Sequence, residues 1–90
     1  MSPFRVVFHR RARGELWHQP EHIMRRVYEL AESLVTDPVP RDSFDLEELK
    51  GEDDVYRVRF GDVRVVYEVD WEGRVVTILR IASRGRVYGS

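Results

Sequence analysis

Between residues 55 and 69 apolar and polar side chains alternate with a period of two, which is the signature of extended chain with two unlike faces. Tyr56, Val58, Phe60, Val63, Val65, Tyr67 and Val69 fall on one face and read as core. The alternation is interrupted only by Gly61-Asp62, a two-residue hairpin connection with glycine where a type II′ turn needs a positive φ. That turn fixes a register in which Phe60 faces Val63, Arg59 faces Arg64, Val58 faces Val65, Arg57 faces Val66 and Tyr56 faces Tyr67. Arg57, Arg59 and Arg64 are therefore expected together on the face opposite the core.

The rest of the chain divides into shorter signals. Phe4, Val6 and Phe8 share one side of an N-terminal strand over residues 4–8. Residues 10–17 suit a short helix, and Pro20 suits the first turn of a second one, where its missing N–H would have no partner. In that second helix Ile23, Val27, Leu30 and Leu34 recur at i, i+4, i+7 and i+11, with Met24, Ala31 and Val35 widening the stripe, and the pattern stops before Pro38. A connector over residues 37–54 follows, whose Phe44, Leu46 and Leu49 are expected to pack down. Strands are predicted over 55–60, 63–69 and 74–81, the last two joined by a turn at residues 70–73. The reading is a single α+β domain spanning residues 1–90, in the order β-α-α-β-β-β. A helical hairpin laid on one face of a small, mainly antiparallel sheet buries the second helix against the apolar strand face.

Composition changes this picture in three ways. The 90 residues contain no cysteine, which excludes disulfides and thiolate metal sites. With no recognisable leader and no long apolar run, a soluble cytoplasmic protein without a membrane segment is expected. Arginine outnumbers lysine 14 to 1, and although the whole chain carries a net charge of −1, residues 1–54 carry −4 and residues 55–90 carry +3. Seven carboxylates lie within residues 42–54, against the single Lys50.

Like charges directly opposite each other destabilise a sheet, so the facing Arg59 and Arg64 point to an anion held between them, and phosphate is the commonest candidate. As an ordinary solvated surface, the same face would form ion pairs with Glu68 or with the acidic connector. His9, His18 and His22 read as surface or capping residues, because Pro20 interrupts any helix carrying both His18 and His22. Trp17 and Trp71 are expected to pack rather than to serve as base platforms.

Leu49-Lys50-Gly51, Tyr56-Arg57-Val58-Arg59, Gly61-Asp62-Val63-Arg64-Val65-Val66-Tyr67 and Arg84-Gly85-Arg86-Val87-Tyr88 occur in an order that resembles the RelE branch of the RelE/ParE toxin superfamily. The Pro38-Val39-Pro40-Arg41 segment is similar to its archaeal members. The resemblance implies a RelE-like fold and the toxin of a type II toxin–antitoxin pair. It also implies an mRNA endonuclease that cuts in the A site of the 30S ribosomal subunit and is held in check by a cognate antitoxin. Position by position, Arg57 and Arg59 match the family's paired basic residues, and Arg64 matches the arginine of a Tyr-Arg-x-x-Tyr motif in which Val63 replaces the first tyrosine. Arg84 and Tyr88 match the late arginine and terminal tyrosine. Two departures stand out: arginines occupy positions where some relatives have lysines, and the chain stops at Ser90, before the C-terminal helix of some relatives.

On this resemblance the catalytic set is Arg64, Arg84 and Tyr88, and the RNA-binding set is Arg57, Arg59, Arg80 and Arg86. Arg80 either pairs across from Arg64 or coats the surface; Arg74 and Arg86 face structure or partner. RNA cleavage without metal or cofactor uses the 2′-OH as nucleophile, so the site must align that oxygen, neutralise the phosphorane and protonate the leaving 5′-oxygen. Arg64 and Arg84 would clamp the non-bridging oxygens, while Arg57 and Arg59 hold neighbouring phosphates. Arginine does not accept protons at neutral pH, and Tyr88 is expected to stack and orient, or to act as base. A ParE-like inhibitor of DNA gyrase and a non-catalytic relative that binds only RNA or antitoxin remain as alternatives.

Overall fold

The computed structural model describes residues 3–83, so Arg84, Arg86 and Tyr88 of the expected site lie outside the described residues. The chain forms β1 (Arg5–Phe8), α1 (Arg10–Leu16), α2 (Glu21–Leu34), β2 (Leu46–Glu48), β3 (Val55–Phe60), β4 (Val63–Asp70) and β5 (Val75–Ser83). Strand order in the single sheet is β1-β5-β4-β3-β2. Every neighbouring pair is antiparallel except β1 with β5. The expected α+β arrangement holds, with one strand more than the sequence pattern predicted. That strand, β2, lies in the connector and pairs Leu46 with Val58, Glu47 with Arg57 and Glu48 with Tyr56.

The hairpin register between β3 and β4 is the one set by the turn, including Arg59 opposite Arg64 and Phe60 opposite Val63. Gly61 has φ +61 and Asp62 is not among the positive-φ residues, as a type II′ turn requires. On the apolar face the stripe of α2, with Ile23, Val27, Leu30 and Leu34 buried, packs on Tyr56, Val58, Phe60, Val63, Val65, Tyr67 and Val69. Phe4 is buried in the same cluster, and Val6 and Phe8 pack at its margin.

Tyr67 lies fully inside this core, and its hydroxyl donates a 2.7 Å hydrogen bond to the Pro38 carbonyl. Burial, with Tyr56 and Asp37 nearby, pushes its phenol pKa far above the usual range. It therefore acts as a permanent donor that anchors the connector to the sheet. Tyr67→Phe leaves a buried carbonyl without its partner and is expected to lower stability by about 1–2 kcal/mol in urea unfolding.

A second, smaller cluster occupies the opposite face of the sheet, where Leu49, Val55, Val66 and Ala82 are buried and Leu79 packs against them. Leu49 thus packs down as expected, but on the far side from Phe44 and Leu46. The register between β4 and β5 slips by one residue, from Val66 opposite Arg80 to Tyr67 opposite Ile78. This bulge lets both Ile78 and Ile81 be core residues although they are three apart, and it turns Arg80 and Ala82 toward the arginine-bearing face.

Candidate functional site

The edge of the sheet at β2–β3–β4 positions three guanidinium groups. Arg57 and Arg59 alternate along β3 and Arg64 stands opposite Arg59 on β4, so strand periodicity alone puts them on one face. They line a single cleft of about 170 Å³ together with Asp45 and Glu47. Arg64 forms its inner wall: it is only 9% exposed, and its Nη1 donates a 3.0 Å bond to the Gly61 carbonyl at the turn. That bond aims the guanidinium back along the hairpin and leaves its remaining N–H groups for other acceptors.

The two outer arginines meet carboxylates of the same chain. Arg57 is paired with Glu47, its cross-strand neighbour on β2. The Arg59 guanidinium contacts one Asp45 oxygen through Nε at 2.8 Å and Nη2 at 2.7 Å. The Arg59 amide also donates to the Asp45 carbonyl, which extends the β2–β3 ladder by one residue. The acidic connector is therefore the partner of this face. Glu68, the other candidate, stands opposite Val55 and Thr77.

Sequence reading offers the acidic connector as a source of partners for this face but does not single out these two carboxylates. Their signal is the alternation Phe44-Asp45-Leu46-Glu47, a short period-two run hidden inside a segment that reads as an acidic loop. Once β2 is a strand, Asp45 and Glu47 share a face with Arg57 and Arg59. The cleft then holds three guanidiniums and two carboxylates, a balance of +1.

Arg80 is not brought into this cleft. It stands opposite Val66 rather than Arg64, and its guanidinium binds Glu15 of α1 through Nε and Nη2, both at 3.0 Å. The same carboxylate accepts the Ile81 amide at 2.8 Å. Arg80 thereby lines a separate hollow with Arg11, Glu15, His18 and Gln19. Arg74 lies over the Phe4 ring at 4.3 Å, a structural contact as expected.

The remaining expectations divide. His9 is the N-cap of α1, with Nδ1 accepting the Arg11 amide, and His18 bonds the Gly14 carbonyl, both local backbone roles. His22 lines a shallow hollow with Arg26, Arg59 and Phe60. Trp71 packs edge-on to Phe4 and donates to Asp54. Trp17 does not pack: it is 69% exposed, because α1 buries Ala12 and Leu16 and the following residue turns away from that stripe. The two buried phenols, Tyr56 and Tyr67, stack on the core face, and burial raises both pKa values, so neither offers a phenolate to the arginine cleft.

Residues 6–88 match a family model described as ParE toxin of type II toxin–antitoxin system, parDE. A curated protein of Methanocaldococcus jannaschii, named as a candidate toxin RelE1, is 41% identical over 85 residues, covering 94% of each chain. The archaeal RelE–RelB complex from Pyrococcus horikoshii OT3 contains a chain with 40% identity and a TM-score of 0.81, covering 93% of this chain and 98% of that one. The isolated E. coli RelE toxin superimposes with a TM-score of 0.77 at 20% identity over 94% of this chain and 88% of its own, a likeness of fold.

Proposed function

Because this chain belongs to the RelE/ParE family of toxins from type II toxin–antitoxin systems, on its RelE side, we propose that it is a metal-independent endoribonuclease acting on mRNA in the ribosomal A site. The observation that carries this reading is the convergence of Arg57, Arg59 and Arg64, from two strands, on one open cleft. A similar chain crystallised in a RelE–RelB complex supports a cognate antitoxin as the cytoplasmic partner that holds the toxin inactive.

In the proposed reaction the 2′-oxygen of the message attacks the adjacent phosphorus, its proton passes to a base, and the bond to the 5′-oxygen breaks as that oxygen takes up a proton. Arg64 is placed to hold the charge that builds on the non-bridging oxygens, because it is partly buried and already oriented by the turn. Arg57 and Arg59 lie further out on β3 and suit the flanking phosphates. Arg84 and Tyr88 are proposed to complete the site, and Arg86 to add a phosphate contact. Arg80, held by Glu15 in a separate hollow beside α1, is left out of the proposed cleft. Among the described residues the cleft holds no strong base, so alignment of the message by the ribosome supplies much of the rate.

The test is to programme ribosomes with a defined mRNA, add the protein and map 5′ ends by primer extension. Discrete cuts at the A-site codon are expected. Intact message with blocked DNA supercoiling would identify a gyrase inhibitor instead, and intact message with supercoiling unaffected would identify a binder without chemistry.

A further inference from the structure

Two of the three cleft arginines are already neutralised by carboxylates of the same molecule, and the run entering β2 delivers them: Asp45 and Glu47 alternate with the apolar Phe44 and Leu46, so both project to the arginine side. We propose that Asp45 and Glu47 are specificity-determining residues, which phosphates must displace from Arg57 and Arg59, and which restrict the cleft to RNA held in place by another body. This rests on the nuclease reading above and deepens it.

The physical argument is competition. A carboxylate on the neighbouring strand is a tethered anion, present at a high effective concentration that no dilution removes. Any phosphate reaching Arg57 or Arg59 must displace it, so free RNA binds more weakly than three guanidiniums in one cleft would otherwise allow. A message already held on the ribosome arrives at high local concentration and saturates the cleft despite that cost, whereas free RNA falls below its dissociation constant. Exposed ion pairs contribute about 0.2–1 kcal/mol each, which suits Arg59 with Asp45, both more than half exposed; Glu47 is equally exposed but Arg57 only 15%, which puts that pair toward the upper end of the range. The exchange is therefore cheap enough to occur and large enough to discriminate.

The experiment measures binding of a single-stranded RNA oligonucleotide, made uncleavable by a 2′-deoxy residue, to the full chain by fluorescence anisotropy. The Asp45→Asn, Glu47→Gln double variant is expected to bind about five- to tenfold more tightly than the wild type. Glu48→Gln, which makes the charge change of one substitution on the other face of β2, is expected to stay within twofold. Adding Arg57→Ala to Glu47→Gln should abolish the gain of that single variant. An unchanged affinity in the double variant, or an equal gain in Glu48→Gln, would overturn the proposal.

Cutting on programmed ribosomes is scored in parallel to separate the two readings. Ribosomal cuts with unchanged affinities sink the carboxylate gate alone. Tighter binding without cuts by any form supports the gate and removes the nuclease. Loss of ribosomal cutting in Glu47→Gln would assign that carboxylate to the chemistry and overturn the gate. Failure of every form to bind RNA would overturn the gate, and together with absence of ribosomal cuts it would overturn both.

Discussion

Arg64→Ala is expected to slow cleavage of ribosome-bound message by about 10²- to 10³-fold, the usual loss when one pre-aimed donor to a developing oxyanion is removed. The side chain is oriented before substrate arrives, by its bond to the Gly61 carbonyl and by low exposure, so it costs no reorganisation in the transition state. The measurement is a single-turnover rate of A-site cutting on programmed ribosomes, with circular dichroism to confirm the fold. Arg64→Lys keeps the charge but loses the planar fork, and it should recover only part of the rate. Arg57→Ala and Arg59→Ala should cost less, about tenfold, since those groups hold flanking phosphates and already have partners at rest. Near-normal cleavage by Arg64→Ala would place the phosphorane elsewhere.

The largest expected effect on stability is that of Leu30→Ala. Leu30 is completely buried at the centre of the α2 stripe, against the apolar face of the sheet. Truncation should cost about 2–5 kcal/mol, because the lost transfer energy is joined by the cavity left behind. For a domain of this size total stability is only about 5–15 kcal/mol, and each kcal/mol shifts Tm by about 4–8 °C. A fall in Tm of about 10–30 °C in calorimetry is the expected result. Leu30 and the arginine cleft lie on opposite faces of the sheet, so at low temperature the folded fraction should cut message at the normal rate. That combination separates loss of fold from loss of chemistry.

The β3–β4 hairpin was legible in the sequence because each signal there is local and they agree: strict alternation, a glycine at the positive-φ turn position and aromatic residues at matching places. The stripe of α2 was equally plain. What escaped was non-local or brief. The three-residue strand β2 sits among seven carboxylates, and charge hid its alternation. The one-residue slip in β5 is a property of pairing, visible in the sequence only as Ile78-Leu79-Arg80-Ile81, where two core residues stand three apart. Residue spacing therefore shows the arginine face, and charge shows the acidic connector as a source of counter-ions, while the two carboxylates that reach the cleft, Asp45 and Glu47, emerge only once β2 is a strand. Trp17 was misplaced for a related reason: an isolated aromatic just past a helix end carries no periodic information about which way it turns.

One consequence follows from Glu15. Strand β5 runs to Ser83, but its parallel neighbour β1 ends opposite Ile78, so among the described residues no strand lies beside the outer margin of β5 beyond that point. Such a margin is a template on which a second copy can add its own strand, and the hydrogen bonds that result seed aggregation. Glu15 occupies the Ile81 amide there and is itself fastened by the Arg80 guanidinium. An incoming strand would have to expel a bound carboxylate before pairing, so this helix-borne acid guards that stretch of the margin.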